Sequence, residues 1–364
     1  MTRRQDFDVL RVCSMLGVIY LHVASGALNR PQEGTLWAFS NPIAALSAAA
    51  VPLFFMLSGA LLLSQDKTAE LDYLFRRRLP RVVVPALCWS GLILAYLWAT
   101  GQAEQAAASL STLLNTPVVV PYWFLYALIP LYLLSPFLKL MTDRMEEGHW
   151  RLALGLWAGL TLGLATVRLF VPERLQLTFT EHWTMNINVA GGYLGYFLLG
   201  AYLDRHKVPK AAPLALGALL CLCISVGGTW WDTYRAMSYS TRFTDYLSLL
   251  TAALAALLFL LAGALWKGRS SGPFLALLAR LSFPMYLAHP LVIGVIRLIW
   301  GRLFQHTDPL AVPEQLSFYL LAVAGSFAAA FVLSHIPVLS TLFTGQRAEK
   351  RGKRLDSTQK TDII

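Results

Sequence analysis

Charge is scarce in this sequence. Asp, Glu, Lys and Arg together make up 14% of its 364 residues, where a soluble domain carries about 25%. No polar stretch is long enough to fold as a separate soluble domain, so one membrane domain is expected, over residues 1–344. Cysteine is scarce as well. Cys13, Cys88, Cys221 and Cys223 all sit in apolar runs. Two of them are two apart on a helical stretch and face different directions. Neither a disulfide framework nor a thiolate metal site is expected, and no metal is assigned. No internal repeat is evident, which disfavours the transporter folds built from duplicated halves.

What fills the chain is apolar residues, 56% of the total, in runs that reach the roughly 18–20 residues needed to cross a bilayer. The pattern predicts an all-α polytopic protein with ten helices, over residues 7–27, 42–64, 80–100, 121–141, 151–171, 189–203, 212–230, 245–266, 274–300 and 314–343. The sixth is short, and the tenth is long enough to bend at Pro337. Pro80, Pro121, Pro213, Pro273 and Pro313 fall at helix edges, where the missing N–H costs little. Arg3 and Arg4 ahead of an apolar run ending in Ala24-Ser25-Gly26 have the outline of a signal peptide. Asp6, Asp8 and Arg11 interrupt it, and a retained first helix is expected.

The net charge of +10 is not read as nucleic-acid binding, because Lys and Arg cluster between the apolar runs. With a cytoplasmic N-terminus, about 21 of them fall in inside segments and about 6 outside, the bias of the positive-inside rule. Ten spans then also place the basic C-terminal segment, residues 345–364, in the cytoplasm. That tail is expected to be disordered and weakly attracted to anionic lipid.

Ionisable groups at bilayer depth cost roughly 2.5–3.5 kcal/mol each and so call for a reason. The first helix carries Asp8, Arg11 and His22. Arg11 and His22 are eleven residues apart, close to three turns, and share a face with His22 roughly 16 Å deeper. Asp8, one turn before Arg11, is in reach of an ion pair that would hold the guanidinium still. The bland alternatives are a snorkelling arginine and a packing histidine. Ser58-Gly59 in the second helix offers a hydroxyl beside a close-packing glycine. Arg76, Arg77, Arg78 and Arg81 precede the third helix, either as a topology anchor or as a phosphate grip in which Arg77 and Arg81 share a face. Near the end, Arg280-Leu281-Ser282-Phe283-Pro284-Met285-Tyr286-Leu287-Ala288-His289-Pro290 puts Tyr286 and His289 on one face beside a proline break. Trp230, Trp231, Tyr234, Tyr239 and Tyr246 on the outer side could stack on sugar rings, but they fit the aromatic belt of a membrane interface better. Glu181 and His182 are further outer-face polar groups without a spacing argument.

These residues resemble the acyltransferase-3 family of membrane acyltransferases, in particular the branch that O-acetylates surface polysaccharides such as enterobacterial common antigen. Arg11 and His22 match the family's Arg, ten residues, His pattern, with Asp8 also in place. Phe54-Phe55-Met56-Leu57-Ser58-Gly59 matches a second motif, and Phe75 to Pro85 a basic segment. Tyr122-Trp123-Phe124-Leu125-Tyr126-Ala127-Leu128 and Leu131 to Pro136 are similar to the fourth helix. Leu281 to Pro290 is similar to a late Ser-Tyr-Pro…Tyr-Leu-His-Pro segment, with Phe283 standing where the family has Tyr.

The resemblance implies an acyl-CoA-dependent O-acetyltransferase of the bacterial inner membrane. It implies acetyl-CoA as co-substrate rather than bound cofactor, and a lipid-linked or surface glycan as acceptor. The expected roles are His22 as general base or acyl-carrying nucleophile, with Arg11 and Asp8 beside it. Arg76, Arg77, Arg78 and Arg81 would hold the donor phosphates. Ser58, Trp123, Tyr126, Ser282, Tyr286 and His289 would line the path. A polytopic exporter of a glycan precursor or organic acid is the alternative, since ten helices with buried Arg and His suit that class too. A non-catalytic envelope sensor gains little from an aligned Arg11–His22 pair.

Overall fold

The computed structural model describes residues 3–31, 34–176 and 192–346. Among them there are no strands, and nine helices are long and apolar enough to cross a membrane. In chain order these are α1 (Gln5–Leu28), α2 (Thr35–Leu62), α3 (Leu71–Ala99), α4 (Val120–Thr142), α5 (Glu147–Phe170), α7 (Ala211–Ala236), α8 (Leu249–Trp266), α9 (Pro273–Phe304) and α10 (Val312–His335). Between α5 and α7 lies α6 (Tyr193–Arg205), of 13 residues. At about 1.5 Å per residue it is too short to span alone. It corresponds to the short sixth helix expected over residues 189–203, of which residues 189–191 lie outside the described residues. So does most of the tail, residues 347–364.

Two departures from the expected boundaries, and one expected bend, have physical causes in charge and proline. The third helix begins at Leu71, nine residues before the apolar run, because charge hides its first two turns from a hydropathy reading. Within it, Leu74–Arg78 forms a π turn. Pro80 lacks an N–H and its ring crowds the carbonyl four residues back, so the helix widens ahead of it. The second helix breaks at Ala48 and Ala49, where Pro52 leaves the Ala48 carbonyl without its usual donor. The tenth ends at His335, and a short helix restarts at Pro337, the bend foreseen at that residue.

The core is built around α1 and α2, whose apolar stretches are 67% and 78% buried, whereas those of α5, α7 and α10 are 17–22% buried and face outward. The outward faces carry Leu216, Leu220, Trp230, Leu320 and Val332, a surface that only lipid would solvate. The closest approach lies between α2 and α6. A Cβ on Gly59 would collide with the Phe197 carbonyl, and one on Gly200 with the Met56 carbonyl. The two helices therefore touch backbone to backbone, as small residues allow in membranes.

Ion pairs gather the helix ends of one face. Arg4 bridges Asp6 and Asp204, which also meets Lys267 at 3.3 Å. Arg205 donates to the carbonyls of Leu63 and Thr142. Lys139, 5% exposed, is held between Asp66 and Asp143. These segments are the ones the charge bias assigns to the cytoplasm, and desolvation of Arg4 by its neighbours is outweighed by Asp6 and Asp204, which raise its pKa.

Because the α2–α6 contact has no room for a side chain, Gly59→Val and Gly200→Val are each expected to lower the midpoint of thermal unfolding in detergent by several degrees. The loss comes from overpacking worth about 1–3 kcal/mol or more. Unchanged melting in both variants would contradict the packing.

Candidate active site

Four helices supply the polar groups that a membrane interior has no use for. Asp8 and Arg11 lie on α1, one turn apart. Asp8 is 1% exposed and Arg11 6%. The Arg11 Nη1 to Asp8 Oδ1 distance is 3.5 Å, and the other carboxylate oxygen of Asp8 accepts shorter bonds from Arg3 (2.5 Å) and from the Ser271 hydroxyl (2.6 Å). The carboxylate thus anchors three groups, and the N-terminus of α1 is tied to the loop before α9. A buried charge is tolerated where partners surround it in this way.

Arg11 reaches a small pocket of about 50 Å³ between α1, α2, α4 and α9, whose other polar residues are Ser58, Ser282 and Tyr286 and whose walls are Phe54, Leu57, Leu61, Phe124, Leu128 and Phe283. Phe283 contributes a ring without a hydroxyl. Ser282 turns its own hydroxyl back to the Ala279 carbonyl, 2.8 Å away. Ser58 lies near the buried Tyr132, which also feels Arg11 and Arg78 electrostatically.

The basic cluster divides in two. Arg76 and Arg77 are exposed and Arg81 half-buried, and Arg76 pairs with Asp72 at 2.7 Å. Arg78 is 2% exposed, donates to Gln65 Oε1 at 2.9 Å and lies over the Tyr73 ring. Of the four, Arg78 is the one turned inward, toward the level of Arg11. The π turn that ends at Arg78 sets this aim, and no spacing rule in the sequence shows it.

Beyond the pocket, Tyr286 leads to two histidines. Its ring packs on His289 with centroids 5.6 Å apart, and His289 packs on His22 at 5.2 Å. His22 is half-buried, while His289 is fully buried. Arg11 therefore lines the pocket, whereas His22 lies one aromatic layer further along, on the other side of Tyr286 and His289. Tyr286 donates to the Pro121 carbonyl and Tyr122 to the Leu287 carbonyl, each at 2.5 Å. This reciprocal pair fixes α9 against the start of α4.

Proline chemistry explains how α9 carries a polar site through lipid depth. Pro290 cannot donate to Tyr286, so the Tyr286 carbonyl loses its helical partner. The Nδ1 nitrogen of His289 fills that place at 2.5 Å. Pro284 likewise leaves the Arg280 carbonyl free, and Gln346 Nε2 donates to it at 2.7 Å. In α4 the same device recurs: Pro136 frees the Tyr132 carbonyl, which Ser135 Oγ reaches at 2.7 Å.

The remaining expected residues are placed elsewhere. Trp123 stacks with Tyr193 and Tyr246 in an aromatic group beside the pocket wall. Tyr126 donates its hydroxyl to the Leu113 carbonyl, away from the pocket. Trp230 and Trp231 are exposed on α7, as an interface belt requires. Glu181 and His182 lie outside the described residues. Tyr132, Tyr122 and Ser271 carry polar contacts at the site without having been singled out, and for Tyr132 the following Ser135-Pro136 was the available signal.

A family model described as an acyltransferase domain, acyltransferase 3, matches residues 4–335. No curated protein and no solved structure matches the chain significantly. The match takes in every helix from α1 to α10, and with it Asp8, Arg11, His22, Arg78 and His289 on one continuous domain. The chain is therefore a member of the acyltransferase-3 family of membrane acyltransferases.

Proposed function

We propose that this protein transfers an acyl group, acetyl by the family resemblance, from acyl-CoA to a hydroxyl of a lipid-linked or surface glycan at the bacterial inner membrane. The observation that carries the reading is Arg11, a buried cation paired with Asp8 at the wall of a pocket, with a second buried cation, Arg78, on α3. A thioester donor with a phosphate-rich tail needs cations at its entry and along its path. An exporter needs neither, and family membership favours the enzyme.

In this scheme the donor enters from the face that the positive charges mark as cytoplasmic. Arg78 and Arg81, with Arg76 and Arg77 at the rim, bind its phosphates through charge-assisted hydrogen bonds. Arg11 orients the polar tail of the donor on its way toward His22. His22 takes the proton from the acceptor hydroxyl as the oxygen attacks the acyl carbon. It returns that proton to the departing thiolate. The acceptor is a hydroxyl from the outer side, where His22 lies three turns deeper than Arg11.

His22→Ala is expected to abolish acyl transfer at an unchanged level of protein in the membrane. Mass spectrometry of surface polymers from cells carrying each form measures this, and full acylation by the variant would defeat the general-base role. Arg78→Gln is expected to raise the KM for acetyl-CoA roughly tenfold or more, the equivalent of one charge-assisted hydrogen bond, with the acceptor KM within about twofold. Equal loss for both substrates would point to a folding role for Arg78.

A further inference from the structure

His289 is the buried polar side chain whose chemistry the scheme above leaves unused. Its Nδ1 sits 2.5 Å from the Tyr286 carbonyl. A carbonyl only accepts, so this nitrogen carries the hydrogen and Nε2 carries the lone pair. That Nε2 atom is fully enclosed and has no hydrogen-bond partner among the described residues. A buried acceptor without a donor costs about 1–3 kcal/mol, and one on a ring packed against a second titratable ring calls for a role.

The neighbour is His22, with ring centres 5.2 Å apart and ring planes at 33°. An N–H···N bond of about 2.9–3.0 Å between two imidazoles leaves their centres about 5 Å apart, the separation this pair shows. The other groups around the pair are Tyr286 on α9, Tyr122 from α4, and Arg297, whose charge reaches His22. Tyr286 and Tyr122 spend their hydroxyls on backbone carbonyls, and Arg297 pairs with Asp308 at 3.1 Å. None of them offers His22 an acceptor.

We propose that His289 is the positioning residue for His22: its Nε2 lone pair accepts the N–H of one His22 nitrogen, leaving the other nitrogen of His22 as the base. The inference rests on His22 being the general base. The proton balance is closed by the substrates. The acceptor O–H breaks and its proton goes to the free nitrogen of His22. The oxygen bonds to the acyl carbon, the carbon–sulfur bond breaks, and the thiolate takes the proton from His22. While His22 is an imidazolium, its second N–H points into a neutral acceptor, and that bond becomes charge-assisted. The His-Pro dipeptide supplies the arrangement, since Pro290 frees the carbonyl that fixes the His289 tautomer.

Two substitutions separate this role from simple helix capping. H289N keeps a donor at the Nδ1 position, so it keeps the cap on Tyr286, but it has nothing at the Nε2 position. H289Q loses the cap and places an amide oxygen near the Nε2 position. Purified variants in nanodiscs are assayed with radiolabelled acetyl-CoA and membranes from cells lacking the gene as the source of acceptor. H289N is expected to melt like the wild type and to lose about 10–100-fold in kcat, with the KM for acetyl-CoA within about twofold. H289Q is expected to melt lower and to keep kcat within about fivefold of the wild type. A wild-type kcat in H289N, or a folded H289Q as slow as H289N, overturns the positioning role. H22A in the same assay separates the two readings. If H22A is active, the general base and its positioning residue fall together; if H22A is dead while H289N is fully active, only the positioning role falls.

Discussion

The Asp8 carboxylate is the constraint on which the site depends. It is buried at the start of the most central helix but one, and it is shared by Arg3, Arg11 and Ser271. A lone carboxylate at that depth would be neutralised or expelled. With three donors it stays, and it holds the α1 terminus to the loop that begins α9. Since α1 carries Arg11 and His22 while α9 carries Ser282, Tyr286 and His289, this one anchor sets the register between the two helices that frame the chemistry.

Proline is the second organising element. A helix in lipid has to satisfy its backbone groups internally, and a proline leaves a carbonyl that a side chain can take over. In α4 and α9 the residue before the proline does so, Ser135 for Tyr132 and His289 for Tyr286, while Gln346 from the chain's far end does it for Arg280. Backbone repair and site construction are thereby the same act. The imidazole that repairs α9 is also the one that faces His22.

Close packing makes this geometry stiff. The contact of α2 with α6 leaves no space for side chains at Gly59 or Gly200, so the segment bearing Ser58 has little freedom to slide. The reciprocal tyrosine bonds between α4 and α9 act alike on the opposite wall. The pocket is held from both sides by elements whose own polar groups are already satisfied, which favours a preorganised site over one assembled on binding.

The sequence by itself determined the membrane class, the helices and their order, and the candidates Asp8, Arg11, His22 and His289. Apolar run length, charge placement and the cost of burying an ionisable group are all local properties of the chain. It also located the bend near Pro337, whereas the break expected at Pro290 is absent: α9 runs unbroken through Pro284 and Pro290. What only the tertiary structure decided is which charge faces which. Arg76, Arg77, Arg78 and Arg81 read as one cluster, yet a π turn sends Arg78 inward and leaves Arg76 and Arg77 at the surface. Arg11 and His22 read as one stripe, yet Tyr286 and His289 stand between the pocket and the imidazole. Tyr126 read as a path residue, yet its hydroxyl is drawn to a carbonyl elsewhere. In each case the answer depends on a neighbouring helix, and spacing along one helix carries no information about its neighbour.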